Sequence, residues 1–366
     1  MQVSIIIVNY NAAAFLELCL HSVLKATARL DAEVIVVDNN STDSSLHMLH
    51  FLFKEVRVIA NKDNLGFSQA NNIGVAAAQG DYVCILNPDT IVGEQVFDEL
   101  YAFAKANPKT ALTTTQLIDG KGNYLPESKR NVPTPKIARQ KLMGNNATYY
   151  ATHLSKDQNG PIDVLVGAMM FCKKTVYEQL GGFDMRYFMY GEDIDLSYTA
   201  LQHGYTNYYL GSLKTIHFKG ESTVKDKTYF KRFYGAMGLF YDKYFKRTML
   251  EKAVVKMVIN VLVFTKNKPQ AQVKALFKEQ VIVSNDSEYH PAGTIKKMTK
   301  QQFLAARLEA GVQIIWDVSS LDYTFIIAFM ATAVERDFSY RFMSPQRDFM
   351  LGSDSSTARG ITVKVD

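Results

Sequence analysis

Hydrophobic and polar positions alternate through the first hundred residues in two periods. Short apolar runs at Val3–Val8, Glu33–Val37, Val56–Ala60 and Tyr82–Leu86 have the length and β-branched content of buried strands. Between them, Ala13–Ala26, Asp43–Phe53, Phe67–Ala78 and Val92–Ala106 place apolar residues at helical spacing. This β-α-β-α rhythm predicts an α/β class and a mostly parallel sheet flanked by helices on both faces.

The rhythm breaks between Leu117 and Pro161, where Gly120, Gly122, Pro126, Pro133, Pro135, Gly144, Gly160 and Pro161 interrupt every apolar run. A long irregular stretch inside a compact domain is usually functional or mobile. Order returns at Val164–Cys172, followed by a short helix, the Gly181-Gly182-Phe183-Asp184 turn and a helix beginning near Glu192. From Tyr229 to Phe245 aromatic residues recur at helical spacing, and Leu250–Leu262 continues the pattern. A second alternation then starts. Strands are expected at Gln280–Ser284, Gln313–Val318 and near Tyr340 and Phe349, with helices at Thr299–Glu309 and Tyr323–Arg336. The expected domains are residues 1–245, an amphipathic helical linker 246–278, and a smaller C-terminal α/β domain 279–366.

Length agrees with two domains: 366 residues exceed one average domain. Hydrophobic content of 47% with 21% charge is that of an ordinary globular chain, and the net charge of +5 leans towards anionic partners without indicating nucleic acid. Cys19, Cys84 and Cys172 lie far apart in apolar runs, so neither a disulfide framework nor a zinc site is expected, and reduced thiols point to the cytoplasm. The chain enters a strand directly after Met1 without the pattern of a secretory leader, and Ala253–Thr265 is too short and too polar to span a bilayer.

Candidate chemistry gathers where the strands end. Strand one closes in Asn9-Tyr10-Asn11. Strand two closes in Asp38-Asn39-Asn40-Ser41, the third helix is preceded by Asn64-Leu65-Gly66, and strand four closes in Asn87-Pro88-Asp89. Taken singly, these are ordinary caps and turns. In a parallel sheet they share one edge, where ligands of open α/β sheets bind. Downstream, Glu192, Asp193 and Asp195 crowd the start of one helix. Helix-dipole complementarity accounts for one or two such acids, at about 0.3–1 kcal/mol each. Three within four residues repel one another and suggest a bound cation or a proton-transfer task.

The set VNYN, VVDNNSTD, NLGFSQANNIG, GDYVCILNPDT, GAMMF, GGFDMRYFMYGEDIDL and HFKGES resembles family 2 glycosyltransferases of the GT-A fold, above all the rhamnosyltransferase-like branch. The likeness runs from Val3 to about Tyr244. It implies an inverting enzyme that moves a sugar, rhamnose or another hexose, from a nucleotide-diphosphate donor to a hydroxyl of a glycan acceptor in cell-surface polysaccharide synthesis. By resemblance, Asp38 reads the nucleotide base with Asn9, Tyr10 and Asn39 in the same pocket. Asn64, Gly66 and Asn72 face the ribose and diphosphate. Asn87-Pro88-Asp89 stands where the family has its DxD metal motif. Asp89 matches the last acid and Asn87 replaces the first, so a Mg2+ or Mn2+ site would be weaker or differently arranged. His217 falls where some members add a metal ligand. Asp193 matches the catalytic base, with Glu192 beside it as a substrate contact.

Elementary chemistry agrees with those assignments. A leaving diphosphate is neutralised by a hard divalent cation held by oxygen ligands, and a hydroxyl nucleophile needs a nearby carboxylate. A nucleotidyltransferase would carry a Gly-rich basic loop after strand one and a dehydrogenase a GxGxxG turn; both are absent. A catalytically impaired sugar-nucleotide-binding module stays open because of Asn87. Lysines and arginines interleave with aromatics between Tyr229 and Lys268, a composition that suits either packing between domains or peripheral contact with an anionic membrane face. Similar bacterial enzymes extend lipid-linked glycans at the cytoplasmic face, so a lipid-linked acceptor at the inner face of the cell membrane is the implied partner.

Overall fold

The computed structural model describes residues 1–219, 227–245, 277–355 and 360–365. The expected linker falls outside the described residues except for 277 and 278. So does all of the aromatic and basic stretch beyond residue 245.

Strand β1 (Val3–Asn9) is wholly buried and pairs in parallel with β2 (Ala32–Asp38) on one side and β4 (Tyr82–Leu86) on the other. Strand β3 (Arg57–Ala60) extends the parallel set beyond β2. Helices α1 (Ala13–Thr27), α2 (Ser45–Leu52) and α3 (Gly66–Ala77) make the crossovers. The register places Asn9 opposite Asp38, and Asp38 opposite Ala60, so the strands end together.

Beyond β4 the sheet is mixed. The chain forms β5 (Thr90–Val92), α4 (Val96–Ala106), β6 (Thr110–Ile118), α5 (Pro135–Leu142), β7 (Gly160–Ile162), β8 (Met169–Lys173), α6 (Lys174–Gln179), α7 (Glu192–Gln202), β9 (Thr206–His217) and α8 (Lys227–Tyr244). The strand order is β3-β2-β1-β4-β8-β6-β9-β5, with β7 also on β9. Strand β8 runs antiparallel to both β4 and β6, and β5 antiparallel to β9.

Three expectations need correction. Val92 closes a strand instead of opening a helix, because Thr90–Val92 pairs with Thr215–His217 and the helix starts only at Val96. The stretch 117–161 is not structureless: its first residues finish β6, and α5 and β7 follow. Strand β6 escapes notice because four of its nine residues are threonines. Two are satisfied inside the sheet, Thr114 Oγ1 on Met169 O at 2.8 Å and Thr115 Oγ1 on Thr215 Oγ1 at 2.9 Å. Strand β9 is masked by an irregularity: Thr115 pairs with Leu210 and Gln116 with Lys214, so residues 211–213 bulge out and break the alternation.

The C-terminal sheet contains β10 (Glu279–Val283), β11 (Lys296–Met298), β12 (Val312–Asp317), β13 (Ser339–Met343), β14 (Phe349–Gly352) and β15 (Ile361–Lys364) in the order β11-β10-β12-β13-β14-β15. The first four run parallel and the last two form an antiparallel extension. Helix α9 (Lys300–Ala305) begins with a capping box of Thr299 and Gln302, and α10 (Tyr323–Thr332) packs on the sheet. None of the described helices is long and apolar enough to cross a membrane.

The two sheets share apolar packing. Phe15, Ile91, Ile118, Ile216 and Phe218 from the first half join Trp316, Tyr323, Ile326 and Phe342 from the second in one buried cluster. Glu94, just past β5, accepts hydrogen bonds from Tyr323 N at 2.6 Å and Thr324 N at 2.8 Å, capping α10 from the other sheet. Lys25 Nζ donates to Val318 O at 2.9 Å, and His21 Nδ1 meets the Tyr323 hydroxyl at 2.8 Å. Gly122 (φ +86°) passes so close that a Cβ there would stand 2.1 Å from Met330 O.

Glu17 lies buried on α1 with Oε1 lacking a hydrogen-bond partner. Burial, and then the like charge of Asp348, push its carboxyl from 4.5 up to about 7. A group raised in the folded state favours folding below its unfolded value and loses that contribution as pH rises through the folded one. Glu17→Gln therefore gains stability relative to the parent protein from about pH 4.5 to about 7, and the gain levels off above. Urea denaturation across pH measures this, and a difference that does not vary with pH contradicts it.

Candidate active site

A cleft of about 550 Å3 opens where β1 to β4 end. Its lining comes from the strand-end loops, the start of α7, the stretch 127–150 and one face of α8. Tyr10, Asn39, Asn64, Gly66, Asn87, Glu192, Asp193 and His217 are all brought together there, whereas Asn9, Asp38, Asn72 and Asp89 are not among the lining residues.

At the β1 and β2 ends the side chains brace one another. Asp38 is fully buried. Its Oδ2 accepts from Asn9 Nδ2 at 2.9 Å and its Oδ1 from Ser41 N at 2.8 Å. Asn11 and Asn40 hold positive φ (53° and 65°), which asparagine tolerates better than most residues and which turns both loops sharply. Asn39 donates to Gly66 O at 3.1 Å and accepts from Asn61 at 2.9 Å, tying the β2 loop to the start of α3. Gly66 itself is sterically required: with φ +81°, a Cβ would fall 2.4 Å from Phe188 O.

Asn72 departs from expectation. Its amide donates to Phe183 O at 2.8 Å and accepts from Tyr177 OH at 2.6 Å and Phe183 N at 3.0 Å. The side chain pins the glycine turn to α3 and does not face the cleft.

Past β4, Asn87, Asp89 and His217 form a second group. His217 Nε2 lies 3.3 Å from Asp89 Oδ1 and 3.5 Å from Asn87 Nδ2. The register explains the meeting, since Thr90 pairs with His217 and Phe218 N donates to Asp89 O at 3.0 Å. Asn87 Oδ1 and His217 Nδ1 are buried without hydrogen-bond partners among the described residues, and Asp89 Oδ1 has only the His217 ring beside it there. Unmet oxygen and imidazole acceptors fit a hard divalent cation. Among the described residues no three His, Cys, Asp or Glu side chains converge as a ready metal site.

The three acids of α7 are separated by their partners. Asp195 is held by Lys243 Nζ at 2.8 Å and by Tyr187 OH at 3.2 Å, which docks α8 onto α7. Asp193 is bound by Arg130 Nη2 at 2.6 Å, by Gly167 N at 3.1 Å and by Ile194 N at 2.8 Å. Glu192 keeps a buried oxygen, Oε2, without a hydrogen-bond partner among the described residues. Burial, reinforced by the charge of Asp193, pushes its carboxyl well above the ordinary range. The mutual repulsion that suggested a bound cation is thus met by Arg130 and Lys243.

Tyr190 (φ 74°) and Gly191 (φ 84°) turn the chain into α7. The Tyr190 ring packs edge-on against Tyr229 (5.1 Å) and Phe233 (6.0 Å) of α8, giving the cleft an aromatic wall. Phe240, farther along α8, is fully buried against Ile194, Val132 and Val164, so the aromatic spacing of this helix serves packing. Sequence reasoning did not single out Arg130, Lys141 or Tyr149, which line the cleft, and read Arg232, also in the lining, only as one of the basic residues between Tyr229 and Lys268. The only signal was the irregular stretch that carries the first three.

Comparison with known proteins defines the class. Residues 4–181 match the Glycosyl transferase family 2 model. The N-acetylglucosaminyl-diphospho-decaprenol L-rhamnosyltransferase of Mycobacterium tuberculosis is 28% identical over 239 residues, 61% of this chain and 78% of that protein. A poly(ribitol-phosphate) beta-N-acetylglucosaminyltransferase of Staphylococcus aureus is 26% identical over 183 residues, 49% of this chain and 55% of that one. Among solved structures, GalNAc-T7 with UDP, GalNAc and Mn2+ superposes with a TM-score of 0.51 at 19% identity, covering 67% of this chain and 49% of that one. The N-terminal sheet has the GT-A fold, and residues 4–181 form a glycosyltransferase domain of family 2 in a chain similar to a rhamnosyltransferase.

Removing the Asn72 amide takes the donor from Phe183 O and the acceptor from the Tyr177 hydroxyl, while Phe183 N keeps its bond to Tyr177 OH at 3.1 Å. Asn72→Ala therefore costs about 1–3 kcal/mol of unfolding free energy in urea, with nucleoside diphosphate affinity unchanged by calorimetry. A large loss of affinity at unchanged stability would return Asn72 to the donor site.

Proposed function

We propose that this cleft transfers a hexose, rhamnose or a close relative, from a nucleoside-diphosphate sugar to a hydroxyl of a phosphate-bearing, lipid-linked glycan, with inversion at the anomeric carbon. The observation that carries this reading is the place of Asp193: a fixed carboxylate in the same cleft as the strand-end side chains. The donor lies along Tyr10, Asn39, Asn64 and Gly66, with Asp38 and Asn9 shaping the base pocket from beneath. Asp89, His217 and Asn87 would hold a Mg2+ or Mn2+ ion, which when bound neutralises charge on the leaving diphosphate. Asp193 takes the proton of the acceptor hydroxyl, and Glu192, a neutral acid, donates a hydrogen bond to a sugar hydroxyl.

Two relatives support the acceptor class, since the names of both the mycobacterial and the staphylococcal enzyme describe phosphate-containing acceptors. The cleft agrees. Lys141 Nζ sits 3.2 Å from the Tyr149 ring centroid and the Arg232 guanidinium 4.3 Å from that of Phe188, and among the described residues neither cation has a carboxylate partner. Cations set against aromatic rings suit an anionic head group on an apolar chain. The C-terminal residues 279–366 act as a structural domain, and the segment 229–268 gives peripheral contact with an anionic membrane.

Asp193→Asn abolishes transfer while donor affinity stays within about threefold, since an amide of the same shape cannot take the proton. Product analysis with a panel of nucleotide sugars and isothermal titration check both halves; substantial transfer by the Asn variant removes Asp193 from the role of base. Chelation, and separately Asp89→Ala, weakens donor binding measured in the presence of Mn2+. Equal affinity with and without the ion contradicts the metal assignment. In co-sedimentation at low salt the protein binds vesicles with anionic lipid and is released at high salt. Recovery in the supernatant at low salt, or equal binding to neutral vesicles, rules out electrostatic docking.

A further inference from the structure

The guanidinium of Arg130 is fixed more firmly than a surface contact would require. Its backbone bridges antiparallel to both Tyr150 and Val164, exchanging hydrogen bonds of 3.0 Å in each direction with Val164. The side chain is 9% exposed, and Nη2 donates both to Leu165 O and to Asp193 Oδ2. Gly167 N reaches the same Oδ2 at 3.1 Å. Among the described residues, Asp193 Oδ1 receives only the backbone N–H of Ile194, at 2.8 Å. The two oxygens are therefore unequal: Oδ2 has its two lone pairs engaged by a guanidinium and an amide, and Oδ1 keeps one open.

We infer that Arg130 is a positioning residue for sugar transfer, holding Asp193 so that Oδ1 alone accepts the acceptor's proton and accepts it late. This rests on Asp193 being the base, as proposed above. Protonating a carboxylate beside a buried guanidinium forfeits a charge-assisted bond, so a neutral alcohol does not surrender its proton readily to this group. The acceptor hydroxyl becomes acidic once its oxygen bonds to the anomeric carbon. Bond breaking therefore leads: the bond from the anomeric carbon to the diphosphate oxygen opens, with its electron pair leaving on the diphosphate. A lone pair of the acceptor oxygen forms the new bond, and the proton then passes from that oxygen to Asp193 Oδ1. Arg130 touches neither sugar nor diphosphate in this scheme; it acts through the carboxylate.

The test uses the full-length protein with nucleotide-sugar donor and glycan acceptor. Arg130→Gln lowers kcat by about 100-fold, and donor affinity stays within about threefold. A solvent deuterium isotope effect on kcat appears in the variant, because a misaligned base makes proton transfer limiting; a purely structural role would not produce it. Arg130→Lys restores part of kcat. In an Asp193→Asn background, Arg130→Gln costs no further activity beyond the residual rate. Wild-type kcat in Arg130→Gln, or a loss confined to donor affinity, overturns the inference. Should the Gln variant not fold, Arg130→Lys is measured in its place: reduced kcat with an isotope effect supports the role, and wild-type kcat refutes it. The two failures are distinguishable. An active Asp193→Asn enzyme removes the base itself, whereas an inactive one beside a fully active Arg130→Gln removes only the role of Arg130.

Discussion

Parallel pairing on both edges of β1 is the constraint from which the site follows. Because β1 shares register with β2 and β4, Asn9, Asp38 and the Asn87 turn are delivered to one line without any side chain directing them. The strands themselves are apolar and buried on both faces, as covered parallel strands must be. Polarity begins where the strands stop. Backbone hydrogen bonding thus brings together residues some eighty positions apart, and the loops need only brace one another locally.

The second half of the cleft is assembled by charge. Asp193 and Asp195 are two residues apart yet answer to different cations, Arg130 from the irregular stretch and Lys243 from α8. Each pair draws a separate piece of chain onto the start of α7. Removing either cation would leave a buried carboxylate unpaired, which costs far more than a surface ion pair contributes. Glu192, between them and with no cation of its own among the described residues, has its carboxyl pushed upward by burial. One short run of acids therefore anchors two separate pieces of chain, with a third carboxyl buried between the two pairs.

Much of this was legible in the sequence, and the illegible parts have physical causes. Strands β1 to β4 and their helices follow from period and composition, and the convergence of their ends follows from topology. Strand β6 was hidden because threonine looks polar in a pattern yet suits a sheet interior when its hydroxyl finds a partner. Strand β9 was hidden by its bulge. Asn72 and Asp89 show a different limit: sequence placed them beside the site, but which way a side chain turns depends on the partners it meets, Phe183 and Tyr177 for one and His217 for the other. Arg130 could not be found by pattern, since nothing near it in the chain reveals the carboxylate sixty-three positions away.

Packing between the two sheets carries a consequence for rearranging the protein. Ile91, Ile216 and Phe218 flank the turn that holds Asp89 and His217, and they are buried by Trp316, Tyr323 and Phe342 of the C-terminal sheet. A chimera that ends the chain after α8, or substitutes an unrelated module there, would uncover that apolar face together with Phe15. It would also leave Glu94 with no helix to cap. Such a chimera would expose a contiguous apolar patch, the usual origin of aggregation. Any exchange of the second sheet must therefore carry its seat on β5 and β9 with it.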